Sequence, residues 1–564
     1  MSGIKSLLLF AIILFVVIGC SSHRTFTPPP PLPDDTHHVP DMPEIVEVNV
    51  LADGFDRQII QQGTQAVDLG RQWRNLFGPK KQAMNVDAFG NVPNSSWFIN
   101  RNGVERMSLE EIARGPNVGD GPDTSDVLTV IRAKTSGLAP GFQIQDRHGN
   151  VYIIKFDPVG YLESSTGTEV VITKIMHAAG YNVPQNYVFY FHPRMLQLGD
   201  NVKFTDSKGR KRLMVQDDLD AIIGQVEHLP DGFVRAHASK FIDGVPIGPF
   251  RFRKTREDDP NDFVPHQHRR ELRGLRVLFA WVNNYDTNAG NMFDAYVTEN
   301  GRSYVKHFLI DFGSAMGGYI YGPMPPTRGV ENYIDPQQLA LNSLSFGLYV
   351  HPWERNWRRY TPVQFPSIGY FILDGFDPHR YKFTFPNEAF ENMTYQDGYW
   401  AARIVMSFTD EQLEAIVANA HYSDPDARAY MVGTLAARRD IIGRYYFSRV
   451  NPLDNFELQD GNDDRQQLHF DDIAVETGLE SADQARYRYE IRRSGDQLVS
   501  VKELGNRTII QMPSVQTSNR TGQWEVILQT TRGTGSDWSK RVYVYLEADD
   551  SSDQLTLLGV RREE

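Results

Sequence analysis

The 564-residue chain has one cysteine, Cys20, so no intrachain disulfide can support its fold. Basic excess is missing too: 58 Lys and Arg stand against 71 Asp and Glu, a formal net charge of −13 spread along the chain. Nucleic-acid binding needs a basic face to meet the phosphates, and that class of partner is excluded. The apolar run from Leu7 to Ile18 is too short to cross a bilayer comfortably. No nucleophile elbow and no convincing zinc motif is present, which leaves hydrolase chemistry without support. There is no internal repeat.

What is present begins at the N-terminus. Lys5 followed by the Leu7 to Ile18 run has the form of a signal-peptide h-region. Val17-Ile18-Gly19-Cys20 sets small Gly19 directly before the thiol and resembles the lipobox of bacterial lipoproteins. The resemblance implies a signal peptide over 1–19, cleavage before Cys20 and a membrane anchor through lipidated Cys20 in the cell envelope. A plain signal anchor with an incidental cysteine is the other reading. Ser21, a non-Asp residue after the cysteine, implies sorting to the outer membrane if the cell is Gram-negative. Residues 20–45, with Pro28 to Pro31 in a row, predict a semi-rigid polyproline tether that need not fold.

The remainder, 40% hydrophobic and 12% aromatic over the whole chain, is enough for about three domains. Residues 46–126 read as a lead-in segment packed on the domain that begins at Val127. From Val127 the pattern is strand-like, and Phe142-Gln-Ile144-Gln, His148-Gly149-Asn150 and Val151 to Phe156 predict a β-hairpin. Residues 167 to 179 turn helical, with Val170, Ile172, Ile175, Met176 and Ala179 as an apolar stripe ending at Gly180. Strands are expected again at Val188 to Phe191, Leu213 to Gln216 and Ala236 to Ile242. Beyond Gly244 helices are expected: Leu272, Leu275, Leu278, Phe279 and Val282 share a face, and Thr409-Asp-Glu-Gln412 forms a capping box. Short runs at Tyr487 to Ile491, Gln497 to Val501, Thr508 to Met512, Trp524 to Leu528 and Val542 to Leu546 predict an all-β, sandwich-like domain over 465–564.

Chemistry concentrates in Asn284-Tyr-Asp286-Thr-Asn-Ala-Gly-Asn291 and, further on, Asp311-Phe312-Gly313. Phosphoryl transfer needs a carboxylate near the attacking hydroxyl, plus a second carboxylate and an amide oxygen to hold Mg²⁺ across the phosphates. Lys155 would reach the phosphates, and Glu169, early on the following helix, would pair with it. Each has a bland alternative: a strand-end lysine usually faces water, and a glutamate in a first helical turn complements the helix dipole. His266 and His268 beside Asp258, Asp259 and Asp262 have metal-like composition but read as a solvated helix start before Arg269-Arg270-Glu271.

The pattern Asn284-x-Asp286-x4-Asn291 is similar to the catalytic loop of atypical kinases, the HipA-type toxin kinases and phosphoinositide 4-kinase relatives, with the likeness spanning roughly 127 to 450. It implies an α+β fold, a two-lobed protein-kinase-like domain with a β-rich N-lobe at 127–245 and a helical C-lobe at 246–455, followed by the small all-β domain. It also implies that Asp286 is the catalytic carboxylate, Asn291 and Asp311 bind metal, Lys155 binds phosphate and Glu169 orients Lys155. The departures are plain: no His-Arg precedes Asp286, no Gly-x-Gly-x-x-Gly covers the phosphates and no Ala-Pro-Glu follows Asp311. In place of the glycine loop, Lys134-Thr135-Ser136-Gly137 to Gly141 offers backbone amides and a hydroxyl, with Ser136 and Gly137 as cofactor-binding candidates.

The function implied is an envelope-anchored kinase-like phosphotransferase using ATP and Mg²⁺ on an unidentified protein, peptide or small hydroxyl substrate. The alternative is a catalytically inactive kinase-like domain that binds a ligand or partner, favoured by the scarcity of ATP outside the cytoplasm.

Overall fold

The computed structural model describes residues 25–548 and 554–564, apart from 71–72, 74–77, 79, 134–140, 206–209, 352, 355–362, 462–464, 494–496, 515–521 and 534–536. Cys20, Ser136 and Gly137 lie outside the described residues. Two compact units make up the chain: Pro31–Val450 with Glu564, and Asn451–Glu563 with residues up to Pro30. Sheet-rich and helical parts alternate in a mixed α/β arrangement.

The larger unit opens with residues that were expected to stand clear as a tether but are tied down. Asp35 is buried and accepts from the Ser96 amide and hydroxyl, both at 2.8 Å, while Val39 N donates to Ser303 O at 2.7 Å. Next come helices α1 (Val50–Phe55) and α2 (Gln61–Val67), joined by a π-helical turn over Asp56–Ile60.

Six strands then form one sheet: β1 (Leu128–Ala133), β2 (Gly141–Gln145), β3 (Val151–Lys155), β4 (Asn186–Phe191), β5 (Leu196–Leu198) and β6 (Val234–Lys240), in the order β4-β6-β3-β2-β1-β5. The β2–β3 hairpin forms where alternation predicts it. Asp146 Oδ1 takes the amides of His148 and Asn150, each at 2.9 Å, and Gly149 adopts the left-handed φ of 82° that the turn requires. Phe142, Ile144, Tyr152, Ile154, Phe189 and Ala236 bury the inward face. Leu213 to Gln216 departs from the expected strand: only Lys211–Leu213 pairs as one, and a helix starts at Gln216.

Helix α3 (Ser164–Ala179) starts earlier than the apolar stripe suggested and ends at Gly180. It is enclosed rather than amphipathic, because Thr166, Thr168, Thr173 and Lys174 are buried along with the apolar stripe.

The stretch after 246 is not purely helical. Strands β7 (Val245–Gly248), β8 (Met292–Glu299) and β9 (Arg302–Leu309) form a three-stranded antiparallel sheet. The β8–β9 turn at Asn300-Gly301, with φ of 52° and 76°, is the hairpin signal that marks it. Helices α4 (Arg270–Trp281), α5 (Tyr395–Met406), α6 (Asp410–Ala418) and α7 (Pro425–Phe447) complete the unit. Leu272, Leu275, Leu278, Phe279 and Val282 are buried as their spacing predicts, and the Thr409–Gln412 capping box opens α6.

His266 is not a solvated helix start. It is 2% exposed, its Nε2 lies 2.6 Å from Asp262 Oδ2, and its ring meets Trp97 at 4.6 Å. The distant Trp97 meets the imidazole edge to face, which local spacing could not show. No group of three His, Cys, Asp or Glu among the described residues is arranged to hold a metal.

In the smaller unit β10 (Leu453–Asp460), β11 (Gln466–Asp472), β12 (Ala485–Arg493), β13 (Gln497–Gly505), β14 (Ile509–Gln511), β15 (Gln523–Arg532), β16 (Val542–Ala548) and β17 (Leu555–Arg562) form sheets ordered β10-β11-β14 and β13-β12-β15-β16-β17. Each of the five sequence-marked runs contains a strand. Phe26 stacks on Tyr545 at 4.4 Å, and Gln523 brackets the Phe26 backbone with bonds of 2.7 and 2.8 Å. Among the described residues no helix is long and apolar enough to cross a membrane.

Candidate functional site

Lys155 is the last residue of β3, held between Gly141 on β2 and His237 on β6. Two residues on, Asp157 turns the chain into α3. Its Oδ1 accepts from the Ser165 and Thr166 amides at 2.8 Å each, and its Oδ2 accepts from Glu163 N at 2.9 Å and Thr166 Oγ1 at 2.8 Å. A carboxylate at a helix N-terminus satisfies amides that have no intrahelical acceptor. Burial pushes the Asp157 carboxyl up against the opposing pull of Arg235, whose Nε lies 3.6 Å away and whose Nη1 donates to His421 O at 3.2 Å. Glu169, 3% exposed on α3, is set at a fixed depth by this arrangement.

After α4 the chain passes through Asn283, at φ 54°, into the loop that carries Asp286. Asn288 Nδ2 donates to Asp286 Oδ1 at 2.7 Å, and Asn291 Nδ2 donates to Asp286 O at 3.1 Å. That bond commits the Asn291 nitrogen and leaves its amide oxygen as the atom able to meet a cation. The Ile310 amide then donates to Asn291 O at 2.9 Å, which sets Asp311 beside the loop. Asp311 itself has φ 61°, a left-handed conformation that a short polar side chain tolerates at modest cost.

Lys155 Nζ bonds Asp311 Oδ1 at 2.7 Å. The ion pair expected between Lys155 and Glu169 is therefore replaced: the direct partner is Asp311, and Glu169 acts on the ammonium through its charge. Glu169 accepts from Asn186 Nδ2 at 3.4 Å, and the nearby Phe312 and Gly313 amides favour its charged form. Burial pulls the Lys155 ammonium down, but Asp311 and Glu169 outweigh it and leave it raised. Burial pushes Glu169 up to about 7 against the attraction of Lys155, with the Asp311 carboxylate adding to the rise. Asp286 is raised as well, first by burial and also by Asp311, against the bonds from Asn288 and Asn291.

Lys155, Glu169, Asp286, Asn291 and Asp311 are thus linked by hydrogen bonds and by mutual charge. The donors available to a cation are all oxygen: the Asn291 amide and the Asp311 carboxylate, whose side chain is 45% exposed. Two hard oxygen ligands, with nucleotide phosphates completing the shell, fit Mg²⁺ and do not fit a metal that needs a nitrogen or sulfur cage.

No protein-family model matches the chain. No curated protein matches it either. Among solved structures, the Helicobacter pylori proinflammatory kinase CtkA is 13% identical, covering 54% of this chain and 94% of its own, with a TM-score of 0.27. The Golgi casein kinase is 11% identical, covering 74% of this chain and 97% of its own, with a TM-score of 0.30. In its Mn/ADP-bound structure the values are 10%, 73%, 95% and 0.24. These neighbours are kinases. At such TM-scores the likeness carries no weight, and the functional reading rests on side-chain geometry.

Several residues at the site escaped sequence reasoning. Arg57, 6% exposed in the turn between α1 and α2, sends Nη1 to Thr287 O at 2.5 Å and Nε to Pro386 O at 2.9 Å. Asp53 pairs with Arg57 at 3.2 Å and also accepts from Ala289 N at 3.2 Å. Asp53 and Arg57 therefore grip the loop after Asp286. Their i,i+4 spacing was visible in the sequence, but nothing in it pointed to residues 287–289.

Proposed function

We propose that the chain is a kinase-like phosphotransferase of the bacterial cell envelope, anchored through lipidated Cys20, that moves the γ-phosphoryl group of ATP to a hydroxyl of a protein or small molecule. The observation that carries this reading is the Lys155–Asp311 bond at 2.7 Å, with Asp286 and Asn291 fastened to the same loop. Few structural needs would draw a strand-end lysine and a half-exposed carboxylate together beside a second, pKa-raised carboxylate.

In this reading Lys155 binds the phosphates and Glu169 holds the field around it. Asn291 and Asp311 hold Mg²⁺, which supplies charge neutralisation across the phosphates. Asp286 orients the acceptor hydroxyl and takes its proton as the acceptor oxygen bonds to phosphorus; the bond from the γ-phosphorus to the bridging oxygen breaks and ADP leaves. The upward shift of Asp286 suits it to that role.

A second reading has one observation in its favour. Lys155 and Asp311 neutralise each other, so the groups assigned to phosphate and cation are paired directly with one another. That arrangement suits a domain that binds a ligand or partner without catalysis.

The two readings separate by titrating ATP, with and without Mg²⁺, into wild type, Asp311→Ala and Asp286→Ala, and following phosphate transfer to envelope extract. Phosphotransfer requires that Asp311→Ala lose Mg²⁺-dependent affinity by at least about tenfold and that Asp286→Ala bind normally but transfer poorly. Wild-type binding by both variants, with no transfer in any sample, leaves the binding module.

A further inference from the structure

A cavity of about 1030 Å³ lies beside the loop that carries Asp286, with Asn283, three residues before Asp286, in its wall. Arg276, Arg328, Arg380, Lys382 and Arg438 also line it, against Asp374 and Asp377 alone of the acidic residues. Lys382 is paired with Asp335 and Arg380 lies 3.6 Å from Asp377, so the positive excess of the lining rests on Arg276, Arg328 and Arg438 against Asp374.

The deeper arginines meet carbonyls rather than carboxylates. Arg438 gives Nη1 to Ala280 O and Trp281 O at 3.2 and 3.1 Å and Nη2 to Ile372 O at 3.0 Å. Arg276 gives its two terminal nitrogens to Phe390 O and His379 O at 3.1 and 2.6 Å. Arg328 lies over the Tyr285 ring at 5.3 Å and the Tyr333 ring at 5.8 Å. Burial pulls Arg276 down and brings Arg438 down to about 10. Sheltered guanidinium groups that carry their charge into carbonyls and rings are costly unless an anion joins them.

The same wall holds buried polar atoms with no hydrogen-bond partner: Arg276 Nε, Arg328 Nε, Gln338 Oε1 and Tyr381 Oη. Gln338 is 8% and Tyr381 6% exposed. Native proteins leave few such atoms, so four around one cavity mark a place for something polar. All four atoms are covered by neighbouring protein atoms, so each meets a ligand only after its side chain turns toward the cavity, the two Nε–H groups then taking acceptor oxygens, Gln338 Oε1 a donor and the Tyr381 hydroxyl either.

We infer that this cavity binds a small anion that carries both a phosphate or carboxylate group and free hydroxyls. Arginine nitrogens meet the anionic oxygens, Gln338 accepts from a ligand hydroxyl, and the Tyr370, Phe376 and Tyr381 rings complete the wall. Binding of this kind needs no nucleotide and goes beyond phosphotransfer. That the bound molecule is the phosphate acceptor rests on the proposed function, because Asn283 joins the cavity wall to the Asp286 loop.

The test is calorimetric titration of the full chain, without nucleotide, with glucose 6-phosphate, glucuronate and glucose as probes. The two charged probes distinguish a phosphate from a carboxylate ligand. At least one should bind, with glucose weaker by at least about tenfold and Arg328→Gln costing a similar factor. Arg380→Gln, at the exposed rim, should weaken the charged probe severalfold and keeps the test open if Arg328→Gln does not fold. Failure of both charged probes to bind, glucose binding as tightly, or wild-type affinity in the folded variants overturns the assignment. Binding without phosphate transfer would leave the site standing and count against phosphotransfer alone.

Discussion

Replacing Glu169 by glutamine keeps the size of the side chain and removes its proton equilibrium. Burial and the Asp311 carboxylate raise Glu169 from 4.5 to about 7 in the folded chain, against the pull of Lys155 and the Phe312 and Gly313 amides. The folded form therefore holds a proton that the unfolded form releases between those two values. The stability this proton contributes is fully present below pH 4.5 and is lost as pH rises through 7. At roughly 1.4 kcal/mol for each pH unit, the interval amounts to about 3 kcal/mol. Pro31–Val450 has 420 residues. With an unfolding entropy of about 2 cal/mol/K per residue, that energy corresponds to a Tm change of about 3 to 4 °C. The assay is thermal unfolding of wild type and Glu169→Gln from pH 5 to 8 without nucleotide. The wild-type Tm minus the variant Tm should fall by a few degrees across that range. A flat difference, or one that rises with pH, would refute the account of the site electrostatics, because it would place Glu169 at or below its ordinary value.

Asp157→Ala should cost about 3 to 5 kcal/mol, seen as a lowered Tm, because it strips three amides and a hydroxyl of their acceptor and leaves Arg235 buried without its carboxylate. Arg57→Ala should cost about 2 to 4 kcal/mol, seen as a lowered Tm, and speed hydrogen exchange at the Ala289 amide. Cys20→Ser should abolish fatty-acid labelling and membrane association; unchanged labelling in that variant would remove the proposed lipid anchor.

Much of the local structure was legible. Phe142 to Phe156 reads as a hairpin because alternation and the His148-Gly149-Asn150 turn are signals between near neighbours in the chain. Thr409 and Gln412 announce a helix because a cap and its amide are three residues apart. Asn300-Gly301 carries an equally local signal for the β8–β9 hairpin, which the expectation of helices beyond Gly244 did not include.

The candidate site divides along the same line. By itself the sequence determined which groups exist and in what order: a lysine closing a strand, a glutamate on the next helix, then Asp286, Asn291 and Asp311. Tertiary structure alone decided that Lys155 takes Asp311, 156 residues away, in place of Glu169. It also decided that His266 is buried against Trp97 and that Arg57 grips Thr287. Turns, caps and alternation follow from contacts between near neighbours, which spacing records. Ion-pair choice and the raised pKa of Glu169 depend on which distant donors and charges share a water-poor interior, and no spacing along the chain encodes that distance.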